Sequence, residues 1–533
     1  MPSTPRRELV TLRRELYRRQ QQLIRMTVAG YPADFPAYER AYLRRVRRFQ
    51  RVARYDEVLE ALERADVAYV GDYHTLKVAQ RAFYKLAFHA AEIDRPLVLG
   101  LEFVDGRYQA ALDAYLRGEL DDAGLLHGIR YVEHQAFDVW PNFRPLLELA
   151  RRLKLPVLAL DHGGFGANAL RRRDEYAALR IHQALGQNPK PRVLVLAGQL
   201  HVAPPHLPAR VDELERAEGR APPRSLVVYQ NCEALYWQLA DRGLEQRVEA
   251  VRVREGEFCL INTSPILCQR SYLDWLEGDF DGESVEPSPE PRFKEMAQLV
   301  ARFVGLDAEE ALDSVEVHAA GDLSFLPALP RRGYSKREIA AVKREVLSRE
   351  SYYLPRAHVV YLANLSVNHA AEEATRVVRH FCAGDALLAR RSRVDAFYLR
   401  CLEDALAFFG SKVVNDRRKT AHDRAWKQRL RADSLALRRV AEQVLAHRAF
   451  ERGERSGVAR LFREPSAQIA NTVTRALGTM LGDRLYYAML AGKIAKPELR
   501  QLFLDPLVDE GAPMEAYFLL ARKLARIGVP KQH

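Results

Sequence analysis

The sequence predicts an α/β domain on a mostly parallel sheet flanked by helices, followed by a separate, mostly α-helical C-terminal domain. Three observations carry that expectation. Between about 56 and 232, short apolar runs alternate with helical segments, the order that parallel strands joined by crossover helices impose. The runs lack polar alternation, as strands in a sheet covered on both faces do. From about 331 onward the apolar pattern is almost wholly helical. A chain of 533 residues is also too long for one ordinary core.

Residues 1–55 read as a basic helical segment. Arg-Arg pairs recur at 6/7, 13/14, 18/19, 44/45 and 47/48, while Leu9, Leu12, Leu16 and Leu23 keep helical spacing. One face is expected to dock on the α/β domain with the arginines outward, where they could meet an anionic surface. The α/β domain is assigned to 56–264. Its strands are expected at Val67–Val70, Leu97–Leu101, Val157–Leu160, Val193–Ala197 and Leu226–Tyr229, with helices at Lys77–Glu92, Tyr108–Leu116, Pro141–Lys154 and about Asn168–Leu185. Val248–Val253 and Glu257–Asn262 flank a three-residue turn and read as a hairpin that extends the sheet at an edge. Residues 265–330 read as a linker with a short helix and β-like pieces at Ser314–Val317 and Leu323–Leu326; its acidic, proline-rich part runs from Gly278 to Pro291. The helical domain is assigned to 331–533, with helices expected at Lys336–Glu350, Val359–Phe381, Arg393–Phe409, Lys412–His447, Ser456–Gly482 and Pro513–Ile527.

A formal charge of +12 permits anionic partners without identifying one. Acids interspersed around Arg417-Arg418-Lys419 read as a solvated helix face, and no strong nucleic-acid signal is present. Cys232, Cys259, Cys268, Cys382 and Cys401 are odd in number and widely spaced, which argues against a disulfide framework or a zinc ribbon. The first residues lack the apolar core of a secretory signal and a lipoprotein cysteine, and no run approaches the roughly 18 apolar residues of a membrane span. A cytoplasmic protein is the expectation.

The chemistry sits at the strand ends. Four strand-like runs finish in reactive side chains: Gly71-Asp72-Tyr73-His74, Glu102, Asp161-His162, and Gly198-Gln199-Leu200-His201. In a parallel sheet the residues past the carboxyl ends gather on one edge, where ligands bind. Two neutral imidazoles and a carboxylate are a common set for a transition metal that acidifies water, and His74, His201 and Glu102 meet that demand. Asp72 and Asp161 are candidates for orienting a ligating histidine or acting as general base, and His162 for a further ligand or acid/base group. One histidine at a strand end is more often hydrogen-bonded structure. Several at successive ends, two behind the same Gly-x-x-His spacing, argue for a site, with Gly71 and Gly198 permitting a sharp strand exit.

Weaker signals take structural readings. Gly163-Gly164-Phe165-Gly166 lacks the fingerprint of a phosphate loop and reads as a turn at the pocket rim. His369 with Glu372, and His380, read as packed residues of one helix. Tyr352-Tyr353 and Phe408-Phe409 read as core anchors.

Gly71-Asp72-Tyr73-His74, Gly198-Gln199-Leu200-His201 and Leu99-Gly100-Leu101-Glu102-Phe103 together resemble the paired Gly-x-x-His motifs and single glutamate of the Tiki/ChaN/erythromycin-esterase superfamily, most closely its ChaN-like haem-binding uptake domains. Supporting likenesses run from Gln109 to Gly118, from Trp140 to Ala150 and over Arg172-Arg173-Asp174, so the resemblance spans about residues 60–232. It implies a ChaN/Tiki-like fold, with Arg173 and Asp174 supporting the site. The Tiki branch implies a metal-dependent protease chemistry, with a divalent transition metal (Mn, Co, Zn or Fe) on His74, Glu102 and His201. The ChaN branch implies haem binding, with Tyr73 or a histidine on the iron. Two departures stand in the opening motif: the usual Gly-Glu-x-His is Gly-Asp-Tyr-His, and Ala79 and Gln80 occupy the neighbourhood of a usual downstream histidine.

Three functions follow as expectations. The first is metal-dependent hydrolysis of an amide or ester in a small molecule or peptide, with Asp72, Asp161 or His162 assisting. The second is a haem-binding or iron-handling module in the same cleft. The third is a non-catalytic scaffold.

Overall fold

Runs of β-branched and aromatic residues become strands where a sheet can bury both faces, and every residue of Val67–Asp72 is buried. The computed structural model describes residues 4–28, 30–131, 139–163, 167–278, 289–308, 312–319, 321–347, 351–363, 366–454, 462 and 466–530. The chain divides into two units, one of Leu16–Glu286 and one of Met1–Glu15 with Pro287–His533.

The first unit holds an eight-stranded sheet: β1 (Arg51–Ala53), β2 (Val67–Asp72), β3 (Leu97–Asp105), β4 (Val157–Asp161), β5 (Arg192–Gly198), β6 (Ser225–Gln230), β7 (Ala250–Arg254) and β8 (Glu257–Leu260). Their order is β1-β7-β8-β6-β2-β5-β3-β4. The six strands from β8 to β4 run parallel, and the β7–β8 hairpin and β1 complete the edge antiparallel. The expected strands, crossover helices and edge hairpin are thus present. One element differs: Arg51–Ala53, inside the segment expected to be helical, pairs with β7 through Ala250–Arg252. Three residues carry too little periodicity to reveal a strand whose partner lies some two hundred residues away.

The sheet order positions the site. β5 lies between β2 and β3, so the ends of these three neighbours carry the two Gly-x-x-His motifs and the glutamate. Asp72 is level with Gly198 across β2–β5, and Leu101 with Leu196 across β3–β5. Beneath them the apolar core runs from Val58 and Leu62 through Phe83 and Leu86 to Phe143 and Leu147, with Phe103 and Phe143 stacked at 4.4 Å.

The second unit is mainly helical. Helices Glu290–Val304, Val367–Ala383, Arg393–Val414, Ala467–Leu490 and Ala512–Leu524 pack with a small sheet of β9 (Glu316–Ala319), β10 (Tyr352–Leu354) and β11 (Val359–Leu362), ordered β10-β11-β9. The packing is close because small residues face each other: a Cβ on Gly482 would lie 2.2 Å from Ala405 O, and one on Gly478 2.4 Å from Asp404 Cβ.

Several expectations for this unit are corrected. Val359–Leu362 is a buried strand paired on both sides, and the helix begins only at Val367; Val-Val-Tyr-Leu favours extended backbone over the helix that follows. Leu323–Leu326 is not a strand; a short 3-10 turn starts at Leu326. The expected Lys412–His447 helix is three: it ends at Val414, and Asp423–Arg429 and Leu435–Glu451 follow. The break lets buried polar groups meet, since Lys412 Nζ donates to Arg418 O (3.2 Å) and Asp483 Oδ1 (2.8 Å). Arg418 accordingly is not on a solvated helix face: it lies in the break, 2.5 Å from Glu372 Oε1 and over the Phe408 ring.

The first helix, Pro5–Thr27, buries Leu9, Leu12 and Leu16, whereas Leu23 is exposed. Its arginines do not all face outward. Arg13 is buried, donates to the carbonyls of Val413 (2.8 Å) and Lys412 (2.5 Å), and lies 3.5 Å from Asp416. The cysteines are free thiols, all buried but Cys382. Among the described residues no helix is long and apolar enough to cross a membrane. Residues 279–288 of the expected linker, 164–166 of the glycine-rich turn, and 456–461 and 463–465 of an expected helix lie outside the described residues.

Candidate functional site

At the carboxyl edge, β2 continues through Gly71 and Asp72, paired with Ala197 and Gly198, and the chain then turns and delivers His74. Gly71 is not needed for a sharp exit from the strand but for close approach: a Cβ there would meet Gln199 Oε1 at 2.5 Å. Gln199 in turn donates to Gln230 O (2.5 Å) and accepts from Gln230 N (2.8 Å), fastening the end of β5 to the end of β6.

His74 Nδ1 donates to Asp72 Oδ2 at 2.7 Å. Asp72 is buried, and its other oxygen accepts from Gln80 Nε2 at 2.6 Å. The His74 ring is 40% exposed, and Nε2 has no hydrogen-bond partner among the described residues. His201, from the end of β5, is built the same way and buried: Nδ1 donates to Asp174 Oδ1 at 2.6 Å, and Nε2 lies 3.4 Å from Glu102 Oε1. Glu102 leaves β3 and accepts from the Gly198 amide at 2.6 Å through its other oxygen. A Cβ on Gly198 would sit 3.5 Å from Glu102 Oε2 and from His201 Cδ2, and 3.9 Å from His74 Nε2. His74, Glu102 and His201 therefore converge about this glycine.

The cluster is electrostatically self-consistent. Burial disfavours protonation of His74, but the hydrogen bond and charge of Asp72, with Glu102 and Asp161 behind, outweigh it and raise its pKa to about 9. For His201 burial is likewise outweighed by Glu102 and Asp174, giving about 9. Glu102 is held at about 2: burial opposes ionisation, and His201, His74, Arg173 and the Gly198 amide overcome it.

The other expected residues lie at varying remove. Arg173 Nε is 3.5 Å from Asp161 Oδ1, and burial is the chief cause of a raised Asp161 pKa, with Glu102 adding to it. Asp174 holds His201. His162 stacks on Tyr176 at 5.0 Å. Tyr73 packs with Leu76, Ala79 and Cys268, and burial pushes its phenol well above 10, which keeps it neutral.

Two residues that the sequence does not assign to the site support it. Gln80 is buried in a helix face otherwise lined by Ala79, Phe83 and Ala87; a lone amide in such a face is the signal that marks it. Tyr38 donates to Asp174 Oδ2 at 2.7 Å and stacks on His206 at 3.9 Å, and nothing in its arginine-rich surroundings sets it apart.

Imidazole and carboxylate are the donor types of a transition-metal site. Among the described residues, however, no group of three or more His, Cys, Asp or Glu side chains is arranged to hold a metal ion. As placed, His201 and Glu102 form an ion pair, and His74 is the member that meets solvent.

The site thus joins two Gly-x-x-His segments and a glutamate at adjoining strand ends of a mostly parallel, helix-flanked sheet. Residues 58–163 match the model of a family described as haem-binding uptake, Tiki superfamily, ChaN, and this segment is what that family's domain is similar to. A solved structure described as cofacial heme binding to ChaN of Campylobacter jejuni is similar at 14% identity, covering 34% of this chain and 87% of that one with a TM-score of 0.27. No curated protein matches the chain.

Proposed function

We propose that the ChaN-like domain is a haem-binding module whose ligand meets the protein at His74. The observation that carries this reading is the state of that side chain: its ring is exposed, Nδ1 is tied to Asp72, and Nε2 is open. A histidine held in this way presents Nε2 as a ligand of fixed direction and raised basicity. His74 would hold haem through Nε2, and haem when bound would supply an iron centre that accepts an imidazole nitrogen. Glu102 and His201 neutralise each other behind it, and Arg173 at the same rim offers a guanidinium to the ligand's carboxylates. The family similarity over 58–163 supports the reading.

Titration of the purified chain with hemin tests it. A saturable shift of the Soret band is expected, lost in His74→Ala and retained in His162→Ala. No saturable spectral change in the wild-type chain removes the proposal. The hydrolytic reading uses the same imidazoles with a divalent metal; elemental analysis after expression in supplemented medium reads it separately, since it requires about one metal per chain that His201→Ala abolishes.

A further inference from the structure

A second candidate site lies in the helical unit, independent of His74. Helices Val367–Ala383, Arg393–Val414 and Ala467–Leu490 and the strand Tyr352–Leu354 surround a cavity of about 880 Å³, within the size range of small-molecule sites.

Its wall contains Arg379, 2% exposed. Among the described residues, Nε and Nη1 of this guanidinium have no hydrogen-bond partner. The facing carboxylate, Glu403 Oε1, is 3.7 Å from Nη1, beyond hydrogen-bond reach. Burial lowers the Arg379 pKa; Glu403 and Asp505 attract the charge, and Arg376 and Arg391 repel it. A buried cation left without hydrogen bonds is costly, and folded proteins rarely keep one without a purpose.

The remaining charges of the wall do not relieve it. Arg376 engages Asp404 (2.6 Å) and Glu373 (3.4 Å), and Arg475 engages Glu372 (3.1 Å). Arg400 donates to Asn471. Buried Glu373 has an Oε2 without a hydrogen-bond partner among the described residues, and burial raises its pKa to about 7, so its carboxyl can serve as a donor in the neutral form. Another part of the wall is apolar, formed by Tyr352, Leu387 and Leu388.

From this geometry we infer that the cavity binds a phosphorylated small molecule, with the phosphate on Arg379 and the organic part against Tyr352 and Leu387. Guanidinium forks on two helices, Arg379 on one and Arg400 on the other, can approach a tetrahedral dianion from more than one side, whereas a planar carboxylate occupies a single fork.

Calorimetric titration of the full chain with phenyl phosphate and with benzoate, which share a ring and differ in the anion, tests the inference. Phenyl phosphate is expected to bind saturably, at least about tenfold more tightly than benzoate and about tenfold more tightly than to Arg379→Gln. The ligand-free variant is expected to melt no lower than wild type, because the substitution removes a buried charge whose Nε and Nη1 have no hydrogen-bond partner among the described residues; a merely structural arginine would lower the melting temperature. Should Arg379→Gln fail to fold, Arg379 is structural and the inference falls; Arg400→Gln must independently weaken phenyl phosphate. No saturable binding up to about 10 mM, equal affinity in Arg379→Gln, or preference for benzoate overturns it. Hemin titration of Arg379→Gln is expected to match wild type, which keeps this outcome distinct from that at His74.

Discussion

Asp72→Asn puts the orientation of His74 to the test. In the wild-type chain the Asp72 carboxylate, 2.7 Å from Nδ1, raises the imidazole from 6.5 to about 9. A ligand that needs neutral Nε2 therefore competes with a proton through the physiological range. Each pH unit below the pKa costs about tenfold in apparent affinity, and solvent screening of a ring that is 40% exposed reduces the full effect. The expected rise in hemin affinity between pH 7 and 9 is thus between about tenfold and a hundredfold. In Asp72→Asn the midpoint should move down toward 6.5, leaving affinity nearly flat above neutrality. Soret-band titrations across this range measure the midpoint, and NMR of histidine labelled at Cε1 reads the ring directly without ligand. A wild-type His74 midpoint near 6.5, or an unchanged midpoint in Asp72→Asn, would refute the reasoning; His74→Ala should show no pH-dependent binding at all.

The buried counterpart, His201, should appear in stability. Its folded pKa of about 9 exceeds the ordinary 6.5, so its ion pairs contribute fully below about 6.5 and are lost as pH rises toward 9, a change on the order of 3 kcal/mol at most. Thermal melts across that range should decline in wild type and less in His201→Gln; equal slopes would count against a charged His201. Gly71→Ala should displace the Gln199 carboxamide and break its bonds to Gln230, costing about 1–3 kcal/mol in urea unfolding, and a neutral result would contradict this close approach. Gly482→Ala places a methyl against Ala405 O and should cost about 1–3 kcal/mol; full stability would mean that these helices can separate freely.

Much of the site is legible in the sequence because strand and chemistry coincide there. Val67–Asp72 and Arg192–Gly198 are apolar runs with a glycine at or next to their last residue, and a parallel sheet has only one edge at which His74 and His201 can emerge. Convergence of these two with Glu102 further requires β5 between β2 and β3, which follows from strand order and not from any local run. Boundaries in the helical unit were less readable for a different reason. Around Asn415–His422 the residues are helix-compatible, and the break is caused by distant buried partners: Asp483 for Lys412, and Glu372 for Arg418. Arg13 misleads in the same way, since its exposure depends on Val413 O and Asp416, four hundred residues away in sequence.

The two departures in the opening motif become one feature in the structure. Asp72 is shorter by a methylene than the glutamate usual at that place, and Gln80 stands near where a histidine is usual. Asp72 uses both oxygens, one on His74 Nδ1 and one on Gln80 Nε2, and Gln80 also donates to the carbonyls of Tyr73 and His74 at 3.1 and 3.3 Å. The amide thus clamps the acid and the turn that carries the histidine. A carboxylate bonded at both oxygens and buried is suited to orient an imidazole and poorly placed to take a proton from water. Proton transfer at this edge would fall instead to Asp161, whose pKa is raised. That division of roles favours a site in which His74 receives a ligand and Asp72 fixes its direction.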